Sequence, residues 1–185
     1  MKAEMFLEEL LPGYARTFDI YRPYDMNGEE YPAYGYFFSH LEKYVLMREA
    51  NLWSADSHEH IFFKTFEKEL LPEEITRLHR TITDYVEPQL VRKGEKTMPE
   101  NHMYTYITCV LISEQEIPRE TVRAVRRFRF EKGYMMNVRG YSQGRLIAVD
   151  LKKGRLYYNY QGRKLRKHYR QVLKDFDRAQ EHTPV

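Results

Sequence analysis

The chain has one cysteine and one tryptophan in 185 residues, and no apolar run approaches the roughly 18 residues a membrane-crossing helix needs. A single thiol, Cys109, cannot close an intrachain disulfide, so the compartment read from it is the reducing cytoplasm. Cys109 lies inside an apolar, β-rich run, where a thiol packs as a small hydrophobe rather than acting as a nucleophile. The opening Met1-Lys2-Ala3-Glu4 begins an acidic amphipathic segment, not the basic-then-apolar pattern of a secretory leader. Neither Gly-x-Gly-x-x-Gly nor a Walker-type loop occurs, and there is no Gly-x-Ser-x-Gly, so the usual signatures of dinucleotide, phosphate-loop and serine-nucleophile chemistry are missing. No cofactor is expected, and no internal repeat is visible.

A hydrophobic share of 42% excludes a disordered chain. Sixteen tyrosines and ten phenylalanines suit sheet faces that are half buried, where the ring packs and the tyrosine hydroxyl reaches a partner. The length fits one domain.

Periodicity predicts a helix over 3–11, with Phe6, Leu7, Leu10 and Leu11 on one stripe. Phe18–Tyr24 and Tyr31–Phe38 alternate around Asn27-Gly28, a pair that tolerates the positive φ angles of a tight hairpin. Ser39–Lys43 reads as a connection, either a capping box or a polar hairpin loop. Tyr44–Trp53 and Glu59–Phe66 read as two further strands joined around Ser54–Ser57, which makes residues 17–66 an antiparallel meander. Pro72 opens a helix carrying Leu71, Ile75, Leu78, Ile82 and Tyr85 on one face, and Pro88 ends or bends it. The polar stretch 92–101 is a loop and the one candidate internal boundary. Met103–Ile112 is apolar on both faces, as a strand covered on both sides would be. A short helix from Pro118 buries Val122, Val125 and Phe128. Strands at Phe130–Val138, Leu146–Leu151 and Arg155–Tyr160 follow, and a final helix spans 163–179. The fold class is α+β, a single domain with an antiparallel-rich sheet of about eight strands and about four helices.

Charge is unevenly distributed. Residues 1–100 carry twelve Lys and Arg against nineteen Asp and Glu, whereas residues 119–170 carry sixteen against three. Such asymmetry points to an anionic partner, or to an acidic half that neutralises the basic one within the fold or across a homo-oligomer.

Ser39-x-x-Glu42-Lys43-Tyr44, Leu52-Trp53, Tyr106-Ile107-Thr108 and Val149-Asp150-Leu151 resemble strings from a family of small uncharacterised proteins of Clostridia-like Gram-positive bacteria, a domain of unknown function. The resemblance covers nearly the whole chain. It implies a bacterial cytosolic domain and carries no active-site residues.

Three functional readings stand at this point. The first is a non-enzymatic binding domain for nucleic acid or another polyanion. Its candidate residues are Arg119, Arg123, Arg126 and Arg127 on a helix, Arg129 and Arg139 on a strand, Arg163, Lys164, Arg166, Lys167 and Arg170 on the last helix, and Tyr157 as a stacking ring. The second is a metal-dependent, nuclease-like hydrolase. His58 and His60 share a strand face, and Asp150-Leu151-Lys152 fits an acidic-x-Lys pattern; either needs further ligands that no diagnostic spacing supplies. The third is a homo-oligomer joined through its acidic and basic halves. No membrane partner is expected.

Overall fold

The computed structural model describes residues 2–43 and 53–181. Its centre is Ile107–Ile112, a run of six buried residues. They belong to strand β6 (His102–Ser113), which pairs in parallel with β5 (Trp53–Phe66) on one side and β8 (Tyr141–Asp150) on the other. Beyond β5 come β4 (Ala33–Lys43) and the short β1 (Asp19–Tyr21), both antiparallel to their neighbours. Beyond β8, two short strands share one edge: β7 (Glu131–Gly133) pairs with its first residues and β9 (Arg155–Tyr158) with its last. Strands β2 (Tyr24–Met26) and β3 (Glu29–Tyr31) form a separate hairpin. Its turn is Asn27-Gly28, at φ 55° and 81°, as that dipeptide predicts.

The expected antiparallel-rich sheet is therefore corrected to a mixed one. The reason lies in the connections. Residues 67–101 and 114–140 each contain a helix and cross back over the same face, so β5, β6 and β8 run in one direction. Sequence periodicity identifies such strands but carries no information on their relative direction.

Helices cover both faces. Among the described residues there are four α-helices. On one face lie α2 (Pro72–Thr81) and α3 (Arg119–Arg127), with Ile75, Leu78, Val122 and Val125 against Phe62, Ile107, Cys109 and Leu146. On the other lie α1 (Lys2–Tyr14) and α4 (Arg166–Glu181), with Phe6, Leu10, Tyr169 and Phe176 against Ile61, Val110, Ile112 and Val149. Each fully buried Leu, Ile or Phe contributes about 1.5–3 kcal/mol. Tyr14 and Tyr169 pair through their hydroxyls at 2.5 Å, which satisfies two polar atoms inside that layer.

Several local expectations are revised. Ser39–Lys43 extends β4, and Ser54–Ser57 lies within β5, so neither is a connection; the Tyr44–Trp53 reading falls, apart from Trp53, outside the described residues. Pro88 does not end its helix. The chain widens into a π-helix (Ile82–Val91) that carries Pro88 inside it, and Arg92 N–H bonds back to Glu87 O. That wider spacing accommodates a ring that would clash with the carbonyl four residues earlier in an α-helix. Phe130–Val138 is strand only at Glu131–Gly133. Met135, Met136 and Asn137 then turn left-handed, at φ 49°, 53° and 68°. The final helix begins as a 3-10 turn (Gln161–Leu165) and becomes α-helical at Arg166.

Candidate functional site

Because β7 and β9 are staggered along the outer edge of β8, residues 144–146 have a partner strand only on the β6 side. Asn159 fills the gap. Its Oδ1 accepts from Leu146 N at 2.9 Å and Gly162 N at 2.8 Å, while its Nδ2 donates to Gly144 O at 3.0 Å and Phe128 O at 3.2 Å. A cleft of about 330 Å³ opens beside it, lined by Arg126, Arg127, Arg129, Tyr160 and Gln161.

A second cleft, of about 380 Å³, shares Arg126 and runs between α3 and β9. α3 places Arg119, Arg123 and Arg126 along it because positions i, i+4 and i+7 share one helix face, beside Val122, which lines the same cleft. β9 adds Arg155 and Tyr157, which alternate with Leu156 and Tyr158 on the other face of the sheet. Lys153 also lines it, and its ammonium is held by Glu116, the carboxylate of this cleft. Sequence reasoning missed Arg155, because only the β8–β9 pairing sets it beside Tyr157 and across from α3.

The eleven predicted cations do not form one surface. Arg119, Arg123 and Arg126 gather with Tyr157, and Arg126, Arg127 and Arg129 gather at the Asn159 gap. Arg163 and Lys164 lie in the 3-10 turn after Tyr160, and Arg166, Lys167 and Arg170 lie on α4, which packs on the opposite face from α3. Arg139 is elsewhere again, bonded to Met98 O at 2.9 Å and Glu100 at 3.2 Å. Nor does the acidic half neutralise them. Arg139 pairs with Glu100 and Arg129 with Glu131, while the other nine carry no ion pair among the described residues.

The second reading's residues occupy different places. Asp150 is fully buried at the end of β8, where its carboxylate accepts from Ile117 N at 3.1 Å and Lys153 N at 2.8 Å and so ties three chain segments together. His58 and His60 do share one face of β5. Their Nδ1 atoms are bonded to the hydroxyls of Tyr36 at 2.8 Å and Tyr34 at 2.7 Å on β4. Burial pushes His58 down to about 4 and His60 to about 3, with a positive His102 and a positive His58, respectively, opposing their charging. His102 stands beside His58, ring centroids 6.0 Å apart. Its Nδ1–H donates to Arg139 O at 2.7 Å, which fixes the tautomer and makes Nε2 the acceptor for Thr105 Oγ1 at 2.9 Å. Among the described residues no three His, Cys, Asp or Glu side chains converge as a metal-holding group.

Among the described residues no helix is long and apolar enough to cross a membrane. Residues 2–171 match the family model described as a domain of unknown function, DUF8052, and the chain belongs to that family. No curated protein matches it, and no solved structure matches it.

Proposed function

We propose that this member of the DUF8052 family is a non-enzymatic, cytoplasmic domain that binds a phosphate-rich polyanion, a single nucleic-acid strand, in the cleft between α3 and β9. One observation carries the reading: Arg119, Arg123, Arg126 and Arg155 line a single cleft whose one carboxylate, Glu116, is already held by Lys153. Four guanidiniums brought together without counter-charge repel one another, a cost that an anionic ligand removes. Guanidinium groups also match phosphate oxygens in bidentate geometry. Tyr157 in the same cleft offers a ring face for a base. The shared Arg126 joins this cleft to the one beside Asn159, where Arg127, Arg129 and Tyr160 extend the track.

Fluorescence anisotropy with labelled single-stranded RNA and DNA tests the reading. The double variant Arg123→Glu/Arg126→Glu is expected to abolish binding, whereas Arg166→Glu/Arg170→Glu on the far face leaves it nearly intact. Equal losses in the two variants, or no binding by the unaltered protein, would overturn it. Binding to heparin but to neither nucleic acid would reassign the ligand to a sulfated polymer.

A further inference from the structure

A pocket larger than either arginine cleft lies away from them, at the end of the sheet where β6 begins. It has a volume of about 800 Å³, within the range of small-molecule sites. In parallel sheets ligands usually bind beyond the carboxyl ends of the strands. Here that end is tied shut around Asp150, and the opening is at the opposite end. It exists because the π-helix and the 92–101 loop carry the chain past the sheet before it turns back into β6, so that Thr97, Met98 and Pro99 form a wall standing off Tyr36, Phe38 and His58.

Three properties of the pocket specify an occupant. Its floor is aromatic: Phe38 and His58 have centroids 5.0 Å apart with planes 36° apart, and Tyr36, His58 and His102 follow one another across β4, β5 and β6, each ring plane within 26° of its neighbour's. Its charges cancel rather than accumulate. Three acids, Asp19, Asp56 and Glu95, and three bases, Arg92, Lys93 and Arg139, line its walls, so the lining sums to no formal charge. Its unmet hydrogen bonds are neutral ones. Thr97 Oγ1 is the one buried side-chain oxygen or nitrogen without a partner among the described residues. Among the described residues the Nε2 of His58, whose Nδ1 is taken by Tyr36, has no hydrogen-bond partner either.

An aliphatic ligand would not use the aromatic floor, and a formal ion would meet no net opposite charge. We infer that the pocket binds a planar, uncharged nitrogen heterocycle of the nucleobase type, which lies against Phe38 and His58 and exchanges hydrogen bonds with Thr97 Oγ1 and His58 Nε2. A buried hydroxyl left unpaired, here Thr97 Oγ1, makes a site discriminate for ligands that satisfy it. The inference does not rest on the polyanion reading.

Isothermal titration with adenosine, guanosine and uridine tests it, with ribose 5-phosphate as the control that lacks a base. At least one nucleoside is expected to bind saturably and ribose 5-phosphate not at all. Phe38 is half exposed, so Phe38→Ala spares the core; it is expected to weaken binding about tenfold or more, since ring stacking on a base is worth about 1–3 kcal/mol. Thr97→Val, which removes one hydrogen bond at constant shape, is expected to weaken it about fivefold. Arg123→Glu/Arg126→Glu should leave nucleoside binding unchanged, which separates this site from the arginine cleft. No binding by any of the three nucleosides, binding that survives both Phe38→Ala and Thr97→Val, or equal binding of ribose 5-phosphate would overturn the inference.

Discussion

Arg145 lies over the ring of Tyr106, its guanidinium carbon 3.3 Å from the ring centroid, and reaches past β6 to the Glu59 carboxylate at 3.3 Å. The contact links β8 to β5 across the central strand, and Thr108 Oγ1 adds a bond to the same carboxylate at 2.6 Å. Both charged side chains are largely buried, so removing one leaves the other uncompensated. Arg145→Ala is expected to lower unfolding free energy by about 3–5 kcal/mol in urea denaturation. Glu59→Gln/Arg145→Met, which removes both charges and keeps bulk, should lose much less.

Asn159 makes a second, sharper test of the sheet edge. Its four bonds replace the missing strand between β7 and β9. Asn159→Leu has similar volume but leaves buried backbone groups without partners, at about 1–3 kcal/mol each. A loss of at least about 3 kcal/mol by chemical denaturation is expected, together with faster amide exchange at Leu146 and Gly162.

Stability should fall on mild acidification. His60 has a folded value near 3 and ordinarily titrates near 6.5, so between these values the unfolded chain binds a proton that the folded chain refuses. Its contribution is thus fully present above about pH 6.5 and is lost as pH falls towards 3. At pH 5 the loss from His60 is on the order of 2 kcal/mol, and His58, lowered to about 4, adds to it. Urea midpoints at pH 7 and pH 5 measure this, and coincident midpoints would show that both imidazoles are solvated.

Polyanion binding should be steeply salt-dependent. If Arg119, Arg123, Arg126 and Arg155 each neutralise one phosphate, the log–log slope of affinity against salt for a single strand is about −3. Arg155→Ala alone should reduce the slope by about 0.7.

Met136 gives a stabilising prediction. It is 96% exposed and held at φ 53° between two other left-handed residues, a conformation that costs an L side chain about 1–2 kcal/mol. Met136→Gly should raise unfolding free energy by about 0.5–1 kcal/mol, because no packing is lost to offset the relief.

What could be read from residue order tracks how local the determining physics is. Asn27-Gly28 specifies its own turn, the 71–85 stripe its helix, and Ile107–Ile112 its burial on both sides. The parallel direction of β5, β6 and β8 depends on crossovers more than twenty residues long, which no period in the chain encodes. The site followed the same rule. Arg119, Arg123 and Arg126 share a face by helical spacing alone, so their grouping was legible. Arg139 continues the alternation of Phe130–Val138 in sequence, but the left-handed turn at Met135–Asn137 sends it to the other end of the sheet. The Tyr36–His58–His102 row was hidden for a further reason. It is assembled across three strands, and the His58–Glu59–His60 triplet, which has the spacing of a metal pair on a strand, bonds tyrosine hydroxyls instead.

The position of β6 bears on how the chain is made. Translation delivers β4 and β5 before their central neighbour, which follows only after 35 further residues. Until then β5 presents an unsatisfied row of amides and carbonyls, with Ile61, Phe62 and Phe63 beside it, to any other nascent chain. A protein arranged this way depends on prompt arrival of its middle strand, so truncations that stop before residue 102 should aggregate rather than persist as a folded amino-terminal fragment.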